Sequence, residues 1–145
     1  MYVEMSESIY QQLSSHRAYI FACTQKSQEE CLERMLFSTN KIYEDKIIQV
    51  KTGDLLFLFN MDTDILYGIF AAKSEGKKDI VPEAWNGQYP FQVEVERIGE
   101  IKSIENAKKM FSKIGIDWKK VLDANRTRIL LGNFGVDDSW GIDAR

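Results

Sequence analysis

The sequence predicts an α+β domain, a small curled mixed β-sheet or barrel flanked by helices. Apolar, strand-like runs cluster in the middle of the chain, at 55–59, 65–73 and 91–96. Helical spacing of apolar residues is found towards the ends and in one early insertion that begins near Ser27. No internal repeat or low-complexity tract interrupts this order, and 145 residues are the length of one domain.

Taken in order, residues 4–15 predict a short helix, with Met5, Ile9 and Leu13 at i, i+4 and i+8. Tyr19 to Cys23 reads as a buried strand. Ser27 and Glu30 fit a capping box, and Cys31, Leu32, Met35 and Leu36 follow as one apolar stripe at helical spacing. Phe37, Ser38, Thr39 and Asn40 then leave the helix as a corner. It carries a flat apolar face and several hydrogen-bonding groups, suited to a flat, polar-edged ligand such as a nucleobase. Burial of Phe37 in the core is the competing reading. After a turn at Thr52-Gly53-Asp54, Leu55 to Phe59 is a continuous apolar run expected of a strand buried on both faces. A polar Met61-Asp62-Thr63-Asp64 turn joins it to a second strand from Ile65 to Lys73, making a hairpin. Phe91 to Glu96 alternates, with one face buried and the other acidic. Helices are expected at 103–113 and 117–124, capped by Ser103 and Asp117, and a last strand at Arg128 to Leu131. The domain is thus expected over 1–131, with the Gly- and Asp-rich 132–145 as a tail or linker.

Composition narrows the function classes. No apolar run approaches the roughly 20 residues of a membrane-spanning helix. The acidic N-terminus lacks the features of a signal peptide, so a cytoplasmic protein is the default expectation. Cys23 and Cys31 fit no zinc spacing and have only His16 to join them, so no metal and no cofactor is expected. A net charge of −3 argues against strong nonspecific DNA binding, though not against a local basic patch. Nucleophilic catalysis would have to use His16, which lies in an unremarkable polar stretch. Asp62 and Asp64 read as turn chemistry, and no phosphate-binding loop or metalloprotease motif occurs, so an enzyme is not expected. Binding has better support. The segment from Ile80 to Pro90 holds Trp85 and Tyr89 among loop-forming residues, where aromatics stack on bases or, for Trp85, close the barrel as a lid. Lys73, Lys77 and Lys78 lie just upstream, placed either to meet a phosphate backbone or to form a solvated loop.

Several segments carry a resemblance in the right order: YIFACTQKSQEECLERMLF, the FLFN of Phe57 to Asn60, the LYGIFAA of Leu66 to Ala72, PEAW and YPFQVEV. Together they resemble the DCD (development and cell death) domain, which is grouped with the PUA-like superfamily beside YTH, EVE and ASCH domains. The resemblance implies a PUA-like fold and nucleic-acid binding, to DNA or RNA and often at a modified base. Leu36-Phe37-Ser38-Thr39 is similar to the corner after the first helix of YTH domains, and Trp85 to Tyr89 to the context of a later cage tryptophan. On that likeness Phe37 and Trp85 become the walls of a cage around a flipped base, and Ser38 and Thr24 its polar readers. Asn60 joins them at the base edge, and Tyr67 or Tyr89 supplies a third wall. Lys41, Lys73, Lys77, Lys78 and Arg126 would hold the backbone. The chain departs from the patterns at Ser38, where DCD domains usually have glycine, and at Phe37, where YTH domains have tryptophan. Modules of this kind also precede AAA+ motors in McrB-type restriction systems, and the tail would suit such a C-terminal partner. The alternative is a DCD-type protein-interaction or signalling module that binds no nucleic acid. An ASCH-like enzyme would need a lysine or carboxylate inside the pocket, and no spacing points to one.

Overall fold

The computed structural model describes residues 17–39 and 43–136. The expected helix at 4–15, His16 and Lys41 lie outside them. Strand β1 (Ala18–Cys23) leads into helix α1 (Gln25–Arg34), strand β2 (Leu36–Thr39) and the short helix α2 (Glu44–Ile48). The hairpin of β3 (Leu55–Asn60) and β4 (Ile65–Ala72) follows, then the two-residue β5 (Lys77–Lys78) and a helical turn at Ala84–Gly87. A long strand β6 (Phe91–Glu105) and helices α3 (Ala107–Ile114) and α4 (Ala124–Asn133) complete the order. The strands run β1-β3-β4-β6-β2, with β5 also on β6. β1 is parallel to β3 and the other ladders are antiparallel, so the expected mixed sheet forms. It curls until β1 approaches β2, where the Phe21 and Phe37 rings meet at 6.3 Å. Among the described residues no ladder joins those two strands, and the barrel keeps a seam there.

Strand β3 shows why the sheet needs cover on both faces. Leu56 and Leu58 point into the barrel with Tyr19, Phe21, Phe37 and Phe70. Leu55, Phe57 and Phe59 point outward to Ala18, Ile20, Phe111, Leu130 and Phe134. A period of two along an all-apolar strand puts half of it in each core. Helices α3 and α4 close the outer one.

Several sequence expectations change. Helix α1 starts two residues before Ser27, and Thr24 is the N-cap: its Oγ1 accepts from Ser27 N–H at 3.2 Å while Ser27 Oγ accepts from Thr24 N–H at 3.0 Å. The capping box is therefore Thr24–Ser27, and Glu30 is left for another task. Met35 adopts a left-handed conformation (φ 50°) that ends the helix and throws the chain straight into β2. Ser103 lies inside β6, and Asp117 caps a turn through Lys119 N–H rather than a helix. Arg128 to Leu131 is helical, because Asp123 caps α4 by accepting from Arg126 N–H at 2.8 Å. The domain also runs past 131: Phe134 is buried and stacks on Phe57 at 5.5 Å. Asp62 and Asp64, both in the β3–β4 turn, cap two helices, accepting from Gln25 N–H and Lys108 N–H.

Phe134→Ala, just past the end of α4, is expected to cost about 3–5 kcal/mol of unfolding free energy, against about 0.5 kcal/mol or less for the exposed Ile129→Ala on that helix. Urea denaturation of both variants checks whether the segment beyond 131 belongs to the folded unit.

Candidate nucleic-acid interface

A cavity of about 180 Å³ opens at the seam between β1 and β2. β1 contributes Phe21, Ala22 and Cys23, the start of α1 contributes Thr24 and Ser27, and β2 contributes Ser38 and Thr39. Tyr43, Tyr89 and Trp118 are its exposed or half-buried aromatics, and Lys46 reaches in from α2. An apolar cavity of roughly 150 Å³ accepts benzene, so this one is sized for a single ring with small substituents.

The structure divides the expected base-binding residues. Ser38, Thr24 and Tyr89 line the cavity; Phe37, Trp85 and Asn60 do not. Phe37 is 0% exposed and packs edge-on against Phe70 at 4.9 Å and Phe21 at 6.3 Å. The reason is local. The residues after α1 form a strand, whose neighbours point to opposite faces, so Phe37 and Ser38 cannot both face one slot. Trp85 is 5% exposed; its indole N–H donates to Ser27 O at 3.2 Å and its backbone N–H to Glu30 Oε2 at 2.9 Å. That backbone bond, with Arg34 beside it, holds the Glu30 carboxyl below its usual range. Trp85 is thus a clamp on α1 that backs Tyr89 at 6.0 Å, rather than a cage wall. Asn60 is fully buried: its Oδ1 accepts from Asp62 and Thr63 N–H, and its amide donates to Gln25 and Gln28. It shapes the turn. Tyr67, the other suggested wall, packs against the barrel core and is absent from the lining.

Ser38 is 9% exposed, and among the described residues its hydroxyl has no hydrogen-bond partner. A buried hydroxyl without a partner is costly and uncommon, and this one lines the cavity. Its strand neighbour Gln92 is spent on structure: it brackets Val81 through N–H and O and donates to Tyr89 O at 3.1 Å, fixing the loop that carries Tyr89.

Trp118 and Lys46 escaped the sequence reading. Trp118 follows α3 and packs on Phe59 at 5.4 Å. Lys46 donates from Nζ to Ile20 O, on the free edge of β1, and to Trp118 O at 3.3 Å. Its ammonium lies 5.1 Å from the Phe21 centroid and 6.0 Å from that of Trp118. Burial lowers the amine to about 8, against a smaller opposing pull from Asp117. A lysine does therefore enter the pocket, contrary to expectation. Its helix is seated by Gly76, where a Cβ would lie 1.8 Å from Ile47 O. No local pattern in the sequence marks Lys46, because its site is assembled from β1, α2 and the α3–α4 connection. Cys31 sits in the wall, its thiol pushed up by the hydrogen bond with Cys23 and by burial. Both cysteines are free, and no metal-binding cluster occurs among the described residues.

Of the proposed backbone cations, Lys73, Lys77 and Lys78 are exposed. Lys77 stands across from Gln92, which on its other side faces Ser38; Lys78 and Thr39 flank Phe91 in the same way. Two strand spacings put these lysines roughly 10 Å from the cavity's hydroxyl edge. Arg126 is not free, being committed to Asp123 Oδ2 at 2.8 Å and to Gly115 O at 3.0 Å.

A mixed sheet curled nearly into a barrel and flanked by helices is the PUA-like fold. The chain belongs to the development and cell death domain family, whose model matches residues 17–120. It is 37% identical over 84 residues to the B2 protein of Daucus carota, covering 53% of this chain and 41% of that one. It is also 37% identical over 84 residues to the DCD domain-containing protein NRP-A of Glycine max, covering 53% and 23%. The chain thus spans less than half the length of these relatives. Its fold is shared with YTH domains. That of Zygosaccharomyces rouxii MRB1, solved with N6-methyladenosine RNA, superposes with a TM-score of 0.60 at 13% identity, over 81% of this chain and 86% of that one. The Pho92 YTH domain, solved with m6A, gives 0.61 at 15% identity, over 85% of each chain.

The lowered Lys46 amine sets a pH signature. Between about 8 and 10.5 the unfolded chain keeps the lysine proton that the folded one has released, so stability rises with pH across that window. Below pH 8 the burial penalty is present in full. Lysine side-chain NMR is expected to give a Lys46 midpoint near 8, and Lys46→Met to remove its share of the rise in denaturant-unfolding free energy.

Proposed function

We propose that this domain is a non-catalytic nucleic-acid reader that takes one unstacked base, plain or modified, into the seam cavity. The observation that carries the reading is the Ser38 hydroxyl, buried and without a protein partner among the described residues, in the wall of a ring-sized slot flanked by Trp118, Tyr43 and Tyr89. Aromatic faces recover roughly 1–3 kcal/mol per stacked base, and unstacking costs a few. Lys77 and Lys78, two strands away, meet the adjoining phosphates. YTH domains of the same fold, solved with N6-methyladenosine RNA, support the reading. A protein-interaction role has its own observation in its favour, the exposed carboxylates of β6 at Glu94, Glu96, Glu100 and Glu105. A slot of about 180 Å³ nevertheless suits a ring better than a peptide.

Fluorescence anisotropy with random-sequence single-stranded DNA and RNA at low salt tests the proposal. Trp118→Ala and Ser38→Ala are expected to weaken binding, the former by roughly tenfold or more. Replacing Lys77 and Lys78 together by Ala should weaken it uniformly across sequences and flatten its salt dependence by about one to two charges. Absence of binding to either nucleic acid, or a Trp118→Ala protein that binds as the wild type does, contradicts it.

A further inference from the structure

Lys46 says which ring the cavity takes. An ammonium has three N–H donors, and here two reach Ile20 O and Trp118 O. Among the described residues the third has no acceptor, and no carboxylate forms an ion pair with Nζ. Of the described residues lining the cavity, Lys46 alone is charged. A cation held in a largely apolar slot favours a ligand that brings an acceptor and disfavours one that brings an amine or a methyl group to the same place. The cavity volume adds a second constraint, since about 180 Å³ is close to the size of one six-membered ring. Ser38 adds a third: its hydroxyl, without a partner among the described residues, can donate to or accept from another edge of that ring.

We infer that the seam cavity selects an oxo-pyrimidine base, whose ring carbonyl accepts the free N–H of Lys46, over adenine and its N6-methylated form. This rests on the nucleic-acid reading above and names its ligand. Tyr43 and Trp118 cover the ring faces, and Ser38 reads an edge away from Lys46. Lys46 is thereby a specificity-determining residue, and the same contact that secures Trp118 positions the charge.

The test uses the whole chain and single strands built of abasic sites with one central uracil, cytosine, adenine or N6-methyladenine, or with no base. In fluorescence anisotropy the uracil and cytosine strands are expected to bind about tenfold or more tightly than the others, as a charge-assisted hydrogen bond allows. Lys46→Gln and Lys46→Met should bring the pyrimidine strands to the adenine level, with the fold checked by circular dichroism. A central benzene ring, which keeps the six-membered ring and brings no acceptor, should lose the same factor on the wild-type protein, whatever the variants' stability. Adenine or N6-methyladenine binding as tightly as uracil overturns the inference and leaves nucleic-acid binding standing. Failure to bind these strands and random-sequence DNA and RNA alike removes both.

Discussion

The contact on which the site depends is the Lys46 ammonium bridging Ile20 O and Trp118 O. β1 and β2 stand side by side without a ladder among the described residues, and Ile20 O faces that gap on the edge of β1 away from β3. Lys46 satisfies this edge carbonyl without sealing the seam, as a paired strand would. It also fixes the start of the connection between α3 and α4, bringing Trp118 over the opening. The cost is a partly desolvated charge, visible in the lowered amine, which two carbonyls and two aromatic faces offset.

The rest of the fold holds this arrangement still. The two cores on either side of β3 make the sheet a rigid partition, with Phe21 in the wall of the cavity, Phe37 packed against Phe21 in the core and Phe59 behind Trp118. On the α1 side, Trp85 and Glu30 lock the helix that supplies Thr24 and Ser27. On the β6 side, Gln92 holds the loop that supplies Tyr89. Trp85 and Asn60, which look like ligand-binding groups in the sequence, are spent, like Gln92, in positioning the side chains that line the slot.

The central hairpin, the buried strands and the mixed, curled sheet were legible because β3 and β6 state their faces through apolar content and alternation. The DCD resemblance was legible because its motifs keep their order. The ends were not. Arg128 to Leu131 carries a strand-like local pattern, yet the Asp123 cap and burial of Leu130, Leu131 and Phe134 against the sheet make it helical. Of the expected site residues, Ser38, Thr24 and Tyr89 line the cavity, while Phe37, Trp85 and Asn60 do not. A sequence shows that an aromatic is present; only strand register shows which way it points. Trp118 and Lys46 were invisible for a related reason, since their proximity arises entirely from tertiary packing of distant segments.

A ligand in the seam cavity meets Trp118 and not Trp85. Of the chain's three indole N–H resonances, those of Trp85 and Trp118 distinguish the possibilities in one NMR titration with single-stranded oligonucleotide. Trp118 is expected to shift with ligand concentration while Trp85, bonded to Ser27 O, stays in place. A shift at Trp85 with Trp118 unmoved would mean that the mouth lies elsewhere and that the seam is only a fault in the barrel.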